Sequence, residues 1–339
     1  MAASGYSVAL IEHDIYGGLL CTWSYPGVSS NIQALCIKRC TGDNVSPFFY
    51  FKYKSDWIYV MTLTSSQNID PNISSVSLCL ISRSFNPEKF RSMLDILIHQ
   101  HLSTGDPSRI LEGYLSIFTT GTFTNSRGSF KAALFNDSDA LRANCKLRDI
   151  VNIFESDAVI LWNAVLLKKR ILIYGDNSSK VLDIVRYLPC FALHRSDTNI
   201  LRPIVTSDSE HIEDLQAAGV YIAGTTDDSL LLRNDLFDVI ASVPNRRVNI
   251  SETSADDMRM GALHRDILNI MIPSDGSASI LSDQELVDAI SQKTSVVVER
   301  LRGMRQDSKE ATEEAISSMV KNEVASRWLT RLATAEGII

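Results

Sequence analysis

The sequence predicts an α/β chain built as two lobes, and three observations lead there. A first stretch of about 120 residues mixes period-two apolar segments with amphipathic helical ones. A later stretch runs helix, continuous apolar strand and helix in immediate succession, the pattern of a sheet covered on both faces. The 339 residues, 45% hydrophobic and 22% charged, are of globular composition and exceed what one core usually needs.

The elements follow in order. Residues 7–12 and 19–25 read as strands, joined across Asp14 to Gly18, whose glycines suit a hairpin turn. Pro26-Gly27 ends the second strand, and Val28, Ile32, Leu35 and Cys36 then recur at helical spacing. Residues 48–53 and 57–63 form another strand pair around a tight turn at 54–56, and residues 75–82 form a fifth strand. Asn86-Pro87 is a strong helix start, an N-cap residue followed by proline at the first helical position. Phe90, Met93, Leu94, Leu97, Ile98 and Leu102 line that helix, and Asp106-Pro107 opens the next. Residues 121–138 are rich in Gly, Ser, Thr and Asn and read as a loop or linker.

In the second lobe Ser156 is a plausible N-cap, and residues 158–167 are apolar on nearly all sides, interrupted only by Asn163. A helix apolar all round must be buried all round. Lys168-Lys169-Arg170 ends it, Ile171 to Tyr174 is a central strand, and Gly175-Asp176-Asn177 turns the chain. Ser178 or Ser179 is expected to cap the helix that follows, with Val181, Leu182, Ile184, Val185 and Leu188 as its buried stripe. Further on, Ser282-Asp283-Gln284-Glu285 is a capping box ahead of a helix, and residues 303–311 read as a charged break. Ala315, Met319, Val324, Trp328 and Leu332 suggest one last helix.

Composition narrows the function. Net charge is −7 and no basic block stands out, so the footprint of a nucleic-acid binder is missing. Lys168, Lys169 and Arg170 read as a solvated cap that suits the helix dipole. Six spread cysteines with no CxxC pair suggest a reducing, cytoplasmic setting. Cys36 and Cys40 share a helix face, but without further ligands nearby they make a poor zinc site. No signal peptide and no apolar run long enough for a membrane span is expected. His99 and His101 fall on different sides of their helix, and His194, His211 and His264 read as isolated. Asp227-Asp228 and the acidic residues from Asp208 to Asp214 read as solvated faces, and Trp57 with Tyr59 reads as strand packing. No GxSxG or HExxH occurs, and the Gly175 loop lacks the glycines and lysine of a phosphate cradle. No catalytic residue, metal or cofactor is expected.

At Leu166-Leu167-Lys168-Lys169-Arg170-Ile171-Leu172-Ile173-Tyr174 the sequence resembles the central signature of the DENN domain family. The order that follows is similar too: Leu188-Pro189-Cys190-Phe191 with His194, Arg202-Pro203, Gly219 to Gly224, then Asp235 to Ile240. Phe85-Asn86-Pro87-Glu88-Lys89-Phe90 resembles a small tripartite member. Leu193 departs from the tryptophan of many relatives, and the C-terminal third is short. The resemblance implies a two-lobed DENN architecture, with a longin-like N-lobe and an α/β C-lobe carrying a helical C-terminal extension. Its parts would be a longin-like upstream lobe (1–125), a linker (126–144), the central domain (145–250) and a helical downstream portion (251–339). It implies a non-enzymatic binding or regulatory subunit in endosomal trafficking, peripheral on late endosomes. The implied partners are coiled-coil subunits of the Commander endosomal recycling assembly. The alternative it implies is guanine-nucleotide exchange on a Rab GTPase at the cleft between lobes. The expected partner contacts are Lys52 and Trp57 in the first lobe and Lys168, Arg170 and Arg195 in the second.

Overall fold

The computed structural model describes residues 6–40, 46–66, 69–142, 144–195, 197–273, 281–307, 316 and 322–339. The chain divides into two compact units, residues 1–140 and 141–339.

The first unit follows the predicted order: β1 (Ser7–Asp14), β2 (Leu19–Tyr25), α1 (Ser30–Cys40), β3 (Phe48–Tyr53), β4 (Asp56–Thr64), β5 (Ile73–Ser82), α2 (Pro87–Thr104) and α3 (Ser108–Thr120). Its five-stranded antiparallel sheet runs β2-β1-β5-β4-β3, so β5 inserts between the two hairpins and is buried from Val76 to Ser82. Alternate residues serve the two faces. Tyr59, opposite Leu80, meets Phe90 of α2 with ring centroids 4.6 Å apart. Val60, opposite Cys79, belongs to the other face. The α2 start is as the sequence predicts: the Asn86 side chain accepts from the Lys89 N–H at 3.2 Å, with Pro87 in the first turn and Gly105 at φ 72 closing the helix.

Residues 121–138, expected as a loop, instead contain a hairpin of β6 (Thr122–Asn125) and β7 (Gly128–Lys131). Its polar composition concealed one inward aromatic, Phe130, which is fully buried. Asn125 closes the turn by accepting from the Arg127 and Gly128 N–H groups and donates to Ile96 O at 2.8 Å, which ties the hairpin to α2.

The second unit contains α4 (Leu147–Phe154), α5 (Ala158–Leu166), β8 (Ile171–Tyr174), α6 (Ser178–Tyr187), β9 (Leu201–Arg202), α7 (Ser209–Ala217), β10 (Ile222–Thr225), β11 (Val239–Ser242), β12 (Arg247–Ile250), α8 (Ala262–Met271), α9 (Asp283–Asp307) and α10 (Glu323–Ala335). The sheet order is β12-β11-β8-β10-β9, parallel except for the final hairpin strand, with β8 in the centre. Every residue of α5 is buried, as its all-round apolar character requires. Its one polar side chain, Asn163, accepts from Trp328 Nε1 at 2.7 Å and donates to Met258 O at 3.4 Å.

Several details depart from the sequence expectation. Helix α4 was not anticipated, although Leu147, Ile150, Val151 and Phe154 form a buried stripe with helical spacing. No side chain caps its start and it ends at Glu155 with φ 49, so the usual boundary signals are missing. The α6 cap is Asn177, whose side chain accepts from the Lys180 N–H, and neither Ser178 nor Ser179. The Ser282–Glu285 capping box forms with its Ser282 N–H to Glu285 Oε2 contact at 2.8 Å, but α9 continues through Gly303 to Asp307. Residues 308–311, and Ala315 and Met319 of the expected last helix, lie outside the described residues.

Candidate partner-binding groove

The groove begins where α5 ends. The last carbonyls of a helix lack intrahelical donors, and a cation placed there serves both the hydrogen bonds and the dipole. Arg195 is that cation: its Nη1 donates to Val165 O at 2.9 Å and its Nη2 to Leu166 O at 2.6 Å. The chain leaves the helix through Lys168 in the left-handed region, φ 50, which sends the backbone into β8 and leaves the lysine side chain exposed.

Arg195 is itself held by Glu336, just beyond α10. The Glu336 carboxylate is 4% exposed and accepts from Arg195 Nε at 2.9 Å and from Arg195 Nη2. His194 Nε2 lies 2.9 Å from the same oxygen, and Arg302 Nη2 lies 3.3 Å from the other. Burial works to raise the Glu336 pKa, but the hydrogen bonds and charges of His194 and Arg195 overcome it and bring the carboxyl down to about 2. His194, expected to be isolated, therefore belongs to a four-residue ionic cluster.

Between the end of α5 and this cluster lies a groove of about 180 Å³. Val165, Ile171, Pro189, Ala192 and Ile222 supply apolar lining, while Lys168, Lys169 and Arg195 supply cations. The expected solvated cap is correct only for Lys168. Lys169 pairs with Asp257 at 2.6 Å, and Lys168 has no ion pair among the described residues.

Ile171 and Ile222 are the first residues of β8 and β10, so the groove opens at the amino ends of the parallel strands. Small ligands in open α/β sheets gather at the opposite, carboxyl ends. There the Gly175 turn is packed: a side-chain carbon on Gly175 would lie 2.9 Å from Val181 Cγ2. The same edge carries Asp176 beside Tyr174, and Asp227 accepting from the N–H groups of Ser207 and Ser229. Carboxylates there oppose a phosphate.

The remaining expected contacts lie elsewhere. Arg170 points to Asp238, with its Nη2 at 2.9 Å from Oδ1 and its N–H at 2.9 Å from Oδ2, and donates to Asp235 O at 2.6 Å. It ties the entry of β8 to that of β11. In the first unit Trp57 is 2% exposed, with its ring centroid 4.7 Å from that of Phe85. Lys52, its cross-strand partner, holds Nζ 5.5 Å from the indole centroid. The groove thus gathers Lys168 and Arg195 of the five. Glu336 and Lys169 were missed as members of this region, and Glu336 carries no local signal, lying 141 residues from Arg195.

No described helix is long and apolar enough to cross a membrane. A family model described as DENN domain-containing protein 11 matches residues 135–253, a span that includes the groove. The chain is 30% identical over 357 aligned residues to a Dictyostelium discoideum protein named DENN domain-containing protein 10, covering 98% of this chain and 97% of that one. Proteins of the same name from Danio rerio and Homo sapiens are each 29% identical, over 98% of this chain and 97% and 96% of theirs.

Proposed function

The chain belongs to the DENN domain-containing protein family, and on that premise we propose that it is a binding and regulatory subunit in endosomal membrane trafficking. In this reading it is a cytoplasmic protein, peripheral on late endosomes, that engages coiled-coil subunits of the Commander endosomal recycling assembly. The observation that carries it is the size and chemistry of the groove. Its volume of about 180 Å³ is small beside the roughly 300–1,000 Å³ of small-molecule sites, and suits a protein side chain. Apolar lining beside an exposed lysine suits an apolar knob with an acidic neighbour. A coiled-coil surface offers that pairing, because its a and d positions are apolar and its e and g positions charged.

Purification at native expression levels tests this. The wild-type chain is expected to recover coiled-coil trafficking proteins, and Lys168→Glu to lose them without a change in melting temperature. Recovery of no such partner by the wild type would remove the reading.

The exposed Lys168 also supports a second reading, guanine-nucleotide exchange on a Rab GTPase. Exchange needs no general base, only a surface that favours the GTPase conformation with weakened nucleotide contacts. Accelerated nucleotide release from one Rab in a panel, lost in Lys168→Glu, would support it; no acceleration with any member would reject it.

A further inference from the structure

The turn between β1 and β2 carries an apolar group that the fold of the first unit leaves uncovered. Ile15, Tyr16 and Leu20 are 54%, 87% and 65% exposed, close together around one hairpin turn. Single exposed apolar side chains are common on any protein surface, but three at one turn form a patch. A second turn, Asp70 to Asn72, lies against it: the Ile15 N–H donates to Asn72 O at 2.8 Å, and Pro71 is exposed as well. Neither turn contains a lysine or an arginine.

The main chain of this turn is closed on itself. Besides the Ile15 bond, the Asp14 N–H donates to Gly18 O at 2.8 Å and the Gly17 N–H to Asp14 O at 3.2 Å. The Asp14 carboxylate takes the remaining two: its Oδ1 accepts from the Tyr16 N–H at 2.8 Å and from the Gly18 N–H at 2.7 Å. All five N–H groups from Asp14 to Gly18 are therefore met within the protein. The glycines make this possible. Gly17 has φ 90, and a side-chain carbon on Gly18 would collide with the Asp14 carboxylate. A turn that holds its own donors can leave water without losing hydrogen bonds, which is the condition for main chain that meets lipid.

These features select the occupant. A docking strand or peptide is held through free main-chain donors, and the turn has none left to offer. An anionic surface meets the carboxylates of Asp14 and Asp70 and finds no cation in either turn. An electrically neutral lipid surface asks for neither, because burial of apolar side chains supplies the attraction. We propose that the β1–β2 turn is a lipid-contacting tip, with Ile15, Tyr16 and Leu20 seated in the interfacial layer of a zwitterionic bilayer. Tyr16 sets its ring in the boundary and its hydroxyl among the headgroups, while Ile15 and Leu20 contribute apolar area. Three side chains make a weak and reversible anchor. The contact is independent of the groove in the second unit, because it requires no protein partner.

The test sediments the purified full chain with sucrose-loaded phosphatidylcholine vesicles, no other protein being present. The wild type is expected to co-sediment. The double variant Tyr16→Asp, Leu20→Asp is expected to bind at least about tenfold more weakly with an unchanged melting temperature, both positions being exposed. In Tyr16→Trp, brominated phosphatidylcholine is expected to quench fluorescence beyond its effect on the wild type, which locates that residue in the bilayer. Absence of wild-type co-sedimentation would overturn the proposal, and so would equal binding by the double variant. Binding only to vesicles that contain phosphatidylserine would assign the contact to cations elsewhere and overturn it too. If the double variant instead lost protein partners while the wild type ignored vesicles, the tip would belong to a protein interface.

Discussion

The antiparallel sheet of the first unit is tied by a short-range polar row, in which the buried Ser77 hydroxyl lies 2.8 Å from His13 Nε2 and 2.7 Å from Thr62 Oγ1, both half-buried. The second unit instead sinks a carboxylate, Glu336, against His194 and Arg195, with Arg302 reaching it from the exposed side. The difference follows from topology. In the first unit both outer strand pairs are hairpins, so neighbouring strands are close in sequence and main-chain bonds close most of the sheet. In the second unit α10 lies at the far end of the sequence from α5, and side chains must join them. A buried ion pair does this strongly and in one geometry, but leaves an uncompensated charge when one partner is lost.

The largest expected effect tests the charged side of this contrast. Glu336→Ala strands Arg195 and His194 and should destabilise the chain by about 3–5 kcal/mol in urea unfolding. A loss below ~1 kcal/mol would mean that the cluster does not hold α10. The same cluster sets an acid dependence. The Glu336 carboxyl falls from its ordinary 4.5 to about 2 on folding, so its stabilisation is complete above the ordinary value and is lost as pH falls toward 2. The stability lost across that window is on the order of 3 kcal/mol, and Glu336→Gln should flatten the curve there.

A smaller effect probes the packing of the second sheet. A side-chain carbon on Gly224 would lie 2.4 Å from Pro203 O and 2.5 Å from Val181 Cγ1, so Gly224→Ala should cost about 1–3 kcal/mol. The hydroxyl row of the first unit should be cheaper to break: Ser77→Ala is expected to cost about 1 kcal/mol in the same urea titration. If it costs as much as Glu336→Ala, the contrast between the units fails. The smallest effect is at Lys168, whose φ of 50 suits glycine. Lys168→Gly should leave stability unchanged or raise it by up to ~1 kcal/mol while lowering partner recovery. That combination separates binding from folding.

Much of the fold was legible in the residues. Asn86-Pro87, the Ser282–Glu285 box and the alternation of β1 to β5 are signals confined to a few neighbouring positions, and each appears in place. Helix α4 carries a buried stripe at helical spacing but no cap that marks its start, and the β6–β7 hairpin offers a single inward aromatic, Phe130, among polar residues. The candidate site was legible only in part. Lys168 and Arg195 came from a local motif order, whereas Trp57 is sunk in its own strand packing and Arg170 is turned to Asp238.

By itself the sequence determined that α5 is buried on every side, that the strand from Ile171 is central, and which family the motif order belongs to. Those properties reside in periodicity and short spacing, which survive without knowledge of the rest of the chain. Only the tertiary structure decided which of the cations after α5 lacks an ion pair among the described residues, and which carboxylate holds the C-terminal helix. Charged groups acquire their character from burial and from neighbours that folding brings together, and here Arg195 and Glu336 are far apart in the sequence.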